Sequence, residues 1–206
     1  YKDDNYLFFA TKDGVVKRTS VKEFELIRQN GKKAITMRED DELINVKLTD
    51  GNALISLSAD NGKMVKFPES DVRVMGRTAT GVKGMDIDEN THVISLTTSL
   101  EGKYILALSE KGYGKMSPID EYRVSNRGGK GVKTINVTER NGQIVAIRAV
   151  EGNEDLLIIT DDGIVIRLPM EQVKTAGRAT PGVRLIKVGE GASVSSITVV
   201  DKESEE

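Results

Sequence analysis

The sequence predicts an all-β, propeller-like repeat of about four blades, each a four-stranded antiparallel sheet, and three observations predict it. A unit of about fifty residues occurs four times: Gly31, Gly81, Gly131 and Gly182 stand 50, 50 and 51 residues apart, and Gly14, Gly62, Gly112 and Gly163 stand 48, 50 and 51 apart. Apolar residues in each copy follow a period of two, and no stretch carries three-four spacing long enough for a substantial helix. Four short strands per repeat, separated by turn residues, cannot bury their apolar faces alone and must pack against the next copy. The pattern does not set whether the blades close or lie in an open arc.

Each copy opens on an apolar run: Leu7-Phe8-Phe9-Ala10, Leu54-Ile55-Ser56-Leu57, Ile105-Leu106-Ala107-Leu108 and Leu156-Leu157-Ile158-Ile159. A hairpin turn follows at Lys12-Asp13-Gly14, Asp60-Asn61-Gly62, Glu110-Lys111-Gly112 and Asp161-Asp162-Gly163, where Asp-Gly and Asn-Gly suit the positive φ of tight turns. The return strand alternates, as in Lys63-Met64-Val65-Lys66-Phe67. Short segments near residues 21–24, 69–72, 119–122 and 170–173 have room for one helical turn. After a basic turn come a third strand (34–37, 85–87, 134–137, 185–188) and a fourth (43–48, 93–96, 144–149, 194–199). Blade limits are expected at 6–51, 52–102, 103–153 and 154–200, with an acidic tail over 201–206.

Composition bounds the reading further. The chain has 206 residues, 38% of them hydrophobic but only 4% aromatic, so Val, Ile and Leu must supply the core. Cysteine is absent, which removes disulfides and thiolate metal sites and fits a reducing cytoplasm. No signal peptide or run of eighteen apolar residues occurs, so no membrane partner is expected, and the opening residues read as a cut in a longer chain. Net charge is −2, yet the tail alone carries four acids and one base, leaving residues 1–200 at +1.

Charge is distributed unevenly. Segments 26–38, 72–85, 122–138 and 173–188 hold 15 of the 30 basic residues and none of the 32 acidic ones. About nine acids would fall there if spread evenly, so chance does not account for the gap. The candidate contacts are Arg28, Lys32, Lys33, Arg73, Arg77, Lys83, Arg123, Arg127, Lys130, Lys133, Lys174, Arg178 and Arg184, with Gly128, Gly129 and Gly131 beside them. A repeat presents equivalent positions on one edge, so these turns should form a positive stripe with the acids lying away from it. Duplex DNA, with one charge per about 1.7 Å of axis, suits such a stripe. Glycine lets backbone N–H groups approach phosphate. No helix offers base-reading Asn or Gln, so the partner expected is double-stranded DNA without sequence preference.

The chain resembles the C-terminal domain of the DNA gyrase A subunit, a family shared in altered form with topoisomerase IV. The resemblance rests on Tyr6-Leu7-Phe8-Phe9-Ala10-Thr11-Lys12-Asp13-Gly14, Lys111-Gly112-Tyr113-Gly114-Lys115, Gly131-Val132-Lys133 leading into Val137-Thr138-Glu139-Arg140-Asn141-Gly142, and Gly177-Arg178-Ala179-Thr180-Pro181-Gly182-Val183. It implies a β-pinwheel in which each blade borrows a strand from its neighbour, and a basic perimeter that wraps DNA to support ATP-dependent negative supercoiling. Residues 125–131 resemble the family's seven-residue box close to Gln-Arg-Arg-Gly-Gly-Lys-Gly. Ser125, Asn126 and Arg127 take its first three places. The box-like segment lies in the third copy rather than on the first of about six blades, so the chain reads as the last four blades. The resemblance further implies a bacterial cytoplasmic location, chromosome association, and partners in the rest of the A subunit and the B subunit of an A2B2 holoenzyme. ATP and Mg2+ would serve that holoenzyme, with no cofactor in this chain.

Catalysis is not expected here. The family's catalytic tyrosine belongs to a preceding domain, and Tyr1, Tyr6, Tyr104, Tyr113 and Tyr122 read as packing residues. His92 is the only histidine, which excludes a histidine dyad or multi-histidine metal site. Asp161-Asp162 and residues 39–42 read as a turn and solvated charge rather than metal ligands. Two other readings stand beside this one: the topoisomerase IV subunit, and a protein-interaction propeller whose basic rim meets an acidic partner.

Overall fold

The computed structural model describes residues 4–25 and 31–202. Fifteen strands alternate with four single 3-10 turns, and the described residues contain no α-helix. The first repeat supplies β1 (Tyr6–Thr11), β2 (Val15–Ser20) and β3 (Leu43–Thr49); the second, β4 (Leu54–Ala59), β5 (Lys63–Pro68), β6 (Val82–Lys83) and β7 (Val93–Thr98). The third supplies β8 (Tyr104–Ser109), β9 (Tyr113–Pro118), β10 (Val132–Lys133) and β11 (Ile144–Val150); the fourth, β12 (Asp155–Thr160), β13 (Val165–Pro169), β14 (Val183–Arg184) and β15 (Val194–Val200). The 3-10 turns fall at Val21–Phe24, Glu69–Asp71, Ile119–Glu121 and Met170–Gln172, where the sequence left room for them.

The strands assemble as β3-β1-β2-β6, β7-β4-β5-β10, β11-β8-β9-β14 and β15-β12-β13. Each of the first three sheets thus takes its last strand from the following repeat, and the fourth sheet has three strands rather than the four expected. The apolar runs become β1, β4, β8 and β12, each central in its sheet, and β1, β4 and β8 are buried at consecutive positions, so both faces are covered, which is why they read as continuous apolar segments. Outer strand β3 is less covered, leaving Leu43 and Leu48 exposed.

The described residues of the first repeat hold no third strand, and in the other three repeats it is shorter and earlier than the sequence suggested. It spans two residues of the basic turn itself, as β6, β10 or β14, and residues 34–37, 85–87, 134–137 and 185–188 are not strand. The reason lies in where the N–H groups go. Gly84 and Met85 donate to the Gly14 carbonyl, Thr134 to that of Gly62, and Leu185 and Ile186 to that of Gly112. A hairpin turn therefore takes the donors that a longer ladder would have used.

Contacts divide the chain into two units. One holds the first two sheets together with residues 123–132, which join it because they lead into β10 beside β5. Its core mixes residues of both sheets: Phe8 and Val16 with Ile55, Leu57, Phe67 and Leu96. The other unit holds the last two sheets, whose core joins Leu106, Leu108 and Met116 to Leu156, Ile158 and Ile197. In each unit two blades share one core, the physical reason for the repeat.

Two lysines stand where the other two repeats have Val65 and Ile166. Lys17 and Lys115, each the third residue after its hairpin glycine, are almost wholly covered. Lys17 Nζ donates to the carbonyls of Ala34 and Arg77 and lies 5.1 Å from the centre of the Phe9 ring. Lys115 Nζ donates to the carbonyls of Gly177, at 2.6 Å, and Arg178. Each ammonium pins a basic turn from beneath. Burial lowers both lysines from the usual 10.5 to about 8, with Glu23 and Glu121 respectively opposing the shift.

Gly131 shows how closely the borrowed strand approaches. Its φ is +82°, and a Cβ there would lie 2.5 Å from the Met64 carbonyl oxygen. Gly31, the counterpart in the first repeat, has φ +73° with nothing within 4 Å of a Cβ. Gly131→Ala is expected to destabilise the chain by about 2 kcal/mol or more, and Gly31→Ala by clearly less, as read from urea midpoints.

The buried lysines give a pH signature. Between about pH 8 and 10.5 the unfolded chain binds protons that the folded chain has released, so their contribution to stability rises with pH across that window. Urea midpoints at about pH 7.5 and pH 10 should therefore show a rise that Lys115→Met reduces, whatever its effect on the midpoint at neutral pH.

Candidate nucleic-acid interface

The basic turns are tied to one another through the main chain. Arg77 Nη1 donates to the Lys33 carbonyl at 3.0 Å, Arg127 Nη1 to the Lys83 carbonyl at 2.6 Å, and Arg178 Nη1 to the Lys133 carbonyl. In every case the arginine four residues before the turn glycine reaches the residue two beyond the preceding one. In the first unit this links three successive basic turns; in the second it links Lys133 to the turn of Arg178. A guanidinium has five N–H donors, so one carbonyl contact leaves the charge and the remaining donors available.

The box-like loop is the most thoroughly fixed. Ser125 N–H donates to the Lys66 carbonyl at 2.8 Å, Gly128 N–H to that of Gly84 at 2.8 Å, and Asp86 N–H to that of Gly129 at 2.9 Å. Arg127 Nε adds a contact to the Asp71 carbonyl at 3.3 Å. The loop encloses a groove of about 350 Å³ lined by Arg123, Arg127, Lys130 and the backbone of residues 125–132, with no carboxylate in the lining. A cationic concavity with glycines in its lining can hold an anion such as a phosphate group.

Among the other candidates, Lys33, Arg73, Lys83, Arg123, Lys130, Lys133, Lys174 and Arg184 are exposed, while Lys32, Arg77, Arg127 and Arg178 are half-buried. Arg28 lies outside the described residues. Acids do not all stay away from these turns, as the sequence suggested. Lys83 pairs with Asp86 at 3.2 Å, three residues on, and the Glu121 carboxylate accepts the Arg178 N–H at 2.7 Å from just before the Tyr122 segment. Both fall at the ends of the acid-free segments, where the chain folds back on its own turn.

Sequence reasoning missed the two buried lysines, although their equal offset from Gly14 and Gly112 was a usable signal. It also missed Arg140, whose Nε donates to the Tyr113 hydroxyl at 3.1 Å, opposite Arg184 Nη2 at 3.1 Å. Arg140 lies beyond the basic turn and belongs to no repeated charge pattern. Among the described residues, no group of three or more metal-ligating side chains is assembled. Asp161 Oδ1 accepts the Ser193 N–H, bracing its turn. No helix among the described residues is long and apolar enough to cross a membrane.

Known proteins match over nearly the whole chain. The C-terminal domain of DNA topoisomerase IV superposes with a TM-score of 0.89 at 24% identity, covering 96% of this chain and 62% of that one. A DNA gyrase A C-terminal domain superposes with a TM-score of 0.84 at 22% identity, covering 97% and 67%. At those identities the likeness speaks for the fold. The DNA gyrase A subunit of Staphylococcus aureus strain MRSA252 is 47% identical over 206 residues, which cover 99% of this chain and 23% of the relative. The chain thus spans about a quarter of the length of the curated relatives it matches. The family model described as DNA gyrase C-terminal domain, beta-propeller, matches residues 5–50, 57–98, 103–151 and 154–201. All four repeats carry the match, and the chain belongs to the DNA gyrase A C-terminal domain family.

Proposed function

We propose that this domain binds duplex DNA through its basic turns, without sequence preference, and bends the duplex along them. The observation that supports this best is the set of arginine-to-carbonyl ties, which within each unit join one basic turn to the next before any ligand arrives. A preset row of cations binds a stiff polyanion without first having to order its loops, and each neutralised phosphate releases condensed counterions. Smooth bending of a site costs on the order of 1–6 kcal/mol, which added phosphate contacts would offset.

In this reading the domain is a non-catalytic part of an ATP-dependent type IIA topoisomerase. It serves the remainder of the A subunit and the B subunit in a bacterial cytoplasmic A2B2 holoenzyme, where ATP and Mg2+ do their work. The wrapping of DNA gives strand passage a fixed sense and leads to negative supercoiling. The intact core Arg127-Gly128-Gly129-Lys130-Gly131 favours the gyrase type over the topoisomerase IV type.

Duplex affinity should fall linearly with salt on logarithmic axes. Lys130→Ala should weaken binding about three- to tenfold, equally for unrelated sequences, and reduce the salt slope by about 1 without altering the melting temperature. Arg127→Ala should weaken binding and also lower the melting temperature, since it removes contacts to the Lys83 and Asp71 carbonyls. Fluorescence anisotropy and thermal melts read both effects. An affinity independent of salt would reject the proposal. Ligase closure of nicked circular DNA with the chain bound would report wrapping as a linking-number shift.

A further inference from the structure

Two arginines converge on one phenol in the second unit. Arg140 and Arg184 donate to the Tyr113 hydroxyl from Nε and Nη2, and their guanidinium carbons lie 5.5 and 5.6 Å from the centre of its ring. Tyr113 is buried beneath them, and both arginines are exposed. A cavity of about 310 Å³ opens beside them, lined by Lys111 and Lys187 as well, with no carboxylate in its lining.

The arrangement is built rather than incidental. Arg184 lies in β14 directly opposite Tyr113 of β9. Arg140 sits on a turn closed by Gly142 N–H to the Thr138 carbonyl. The buried Asn141 side chain braces its own segment through the Asn136 carbonyl, at 2.7 Å, and fastens it to the neighbouring basic turn through that of Pro181, at 3.3 Å. Lys111 Nζ donates to the Glu139 carbonyl, which holds a further cation against the same turn. The positions equivalent to Tyr113 in the other repeats, the residues just after the hairpin glycine, are Val15, Lys63 and Ile164. The site therefore belongs to this repeat alone.

Two guanidiniums and two ammonium groups around a cavity that no carboxylate lines repel one another, and a bound anion relieves that repulsion. The phenol oxygen already acts as a neutral acceptor in the place an anionic oxygen would take. Its acidity reflects this, for the Arg184 hydrogen bond first, and then that of Arg140, holds Tyr113 below the ordinary tyrosine value. Planar guanidiniums match phosphate geometry, whereas a carboxylate ligand would leave part of a four-cation site unpaired.

We propose that Arg140, Arg184, Lys111 and Lys187, arranged over Tyr113, form a phosphoryl-binding site separate from the groove of the box-like loop. The phosphoryl group comes either from the backbone of a duplex, as a second line of contact, or from a free polyphosphate. The duplex source rests on the function proposed above; the free-ligand source does not.

Two titrations on the intact chain separate these cases. Inorganic pyrophosphate is titrated by calorimetry, and duplex by anisotropy across a salt series, using wild type, Arg140→Gln and Lys187→Gln. The site predicts pyrophosphate binding that weakens at least about tenfold in Arg140→Gln, with a folded melting profile retained. If the duplex supplies the phosphoryl group, the same variant also loses about three- to tenfold in duplex affinity and about 1 in salt slope. Pyrophosphate binding that Arg140→Gln weakens, with duplex affinity unchanged, supports the free ligand as the source. Should Arg140→Gln fail to fold, Lys187→Gln makes the same comparison. Variants that match wild type for both ligands overturn the site. Failure of wild type to bind duplex at low salt defeats the function proposed above, while the pyrophosphate titration still decides the site.

Discussion

Strand donation from one repeat to the sheet before it is the constraint on which the rest of the molecule depends. The pairs β6 with β2, β10 with β5 and β14 with β9 are only two residues long, yet each sits within a basic turn. A surface loop of this composition would ordinarily be free to move, because its charged side chains gain nothing from packing. Here the loop contains the ladder, so its backbone is ordered by the same hydrogen bonds that complete the sheet. Charge is thereby attached to backbone that is hydrogen-bonded into a sheet.

The buried lysines and the arginine ties extend that order in two directions. Lys17 and Lys115 reach from a strand to carbonyls in the turn, and Arg77, Arg127 and Arg178 reach from one turn to another. Both use a cation against main-chain oxygen rather than against a carboxylate. Burying an ammonium with no carboxylate hydrogen-bonded to it is costly, and burial lowers the proton affinity of both lysines despite the opposing charges of Glu23 and Glu121. A carboxylate partner would relieve it, but would also cancel positive charge beneath the basic edge. Carbonyl acceptors satisfy the donors and leave the charge in place.

Much of the fold was legible because the repeat is written in residues with local meaning. Glycines fix hairpins, apolar runs fix central strands, and Val21, Glu69, Ile119 and Met170 each begin a 3-10 turn where no other pattern competed. The third strand was placed too late because its pairing partner belongs to another repeat, and alternation over residues 85–87 looks like a strand whichever group takes the N–H. The basic turns were legible as composition, but not the division of labour within them. Arginine recurs four residues before the turn glycine in three repeats, but composition alone did not separate Arg127, half-buried and bonded to the Lys83 carbonyl, from the exposed Lys130 three residues later. Arg140 was invisible for a related reason: its partner Arg184 lies 44 residues away, and only β14 opposite β9 brings them together.

The arginine ties end on carbonyl oxygens, and a carbonyl is the one acceptor that every amino acid supplies. Positions 33, 83 and 133 can therefore change identity while the scaffold between loops stays the same. Arg184 occupies the corresponding place in the last repeat, where lysine stands in the other three. A domain organised in this way can change the strength of its grip at these acceptor positions one site at a time, because the tie uses their backbone and leaves their side chains free to differ.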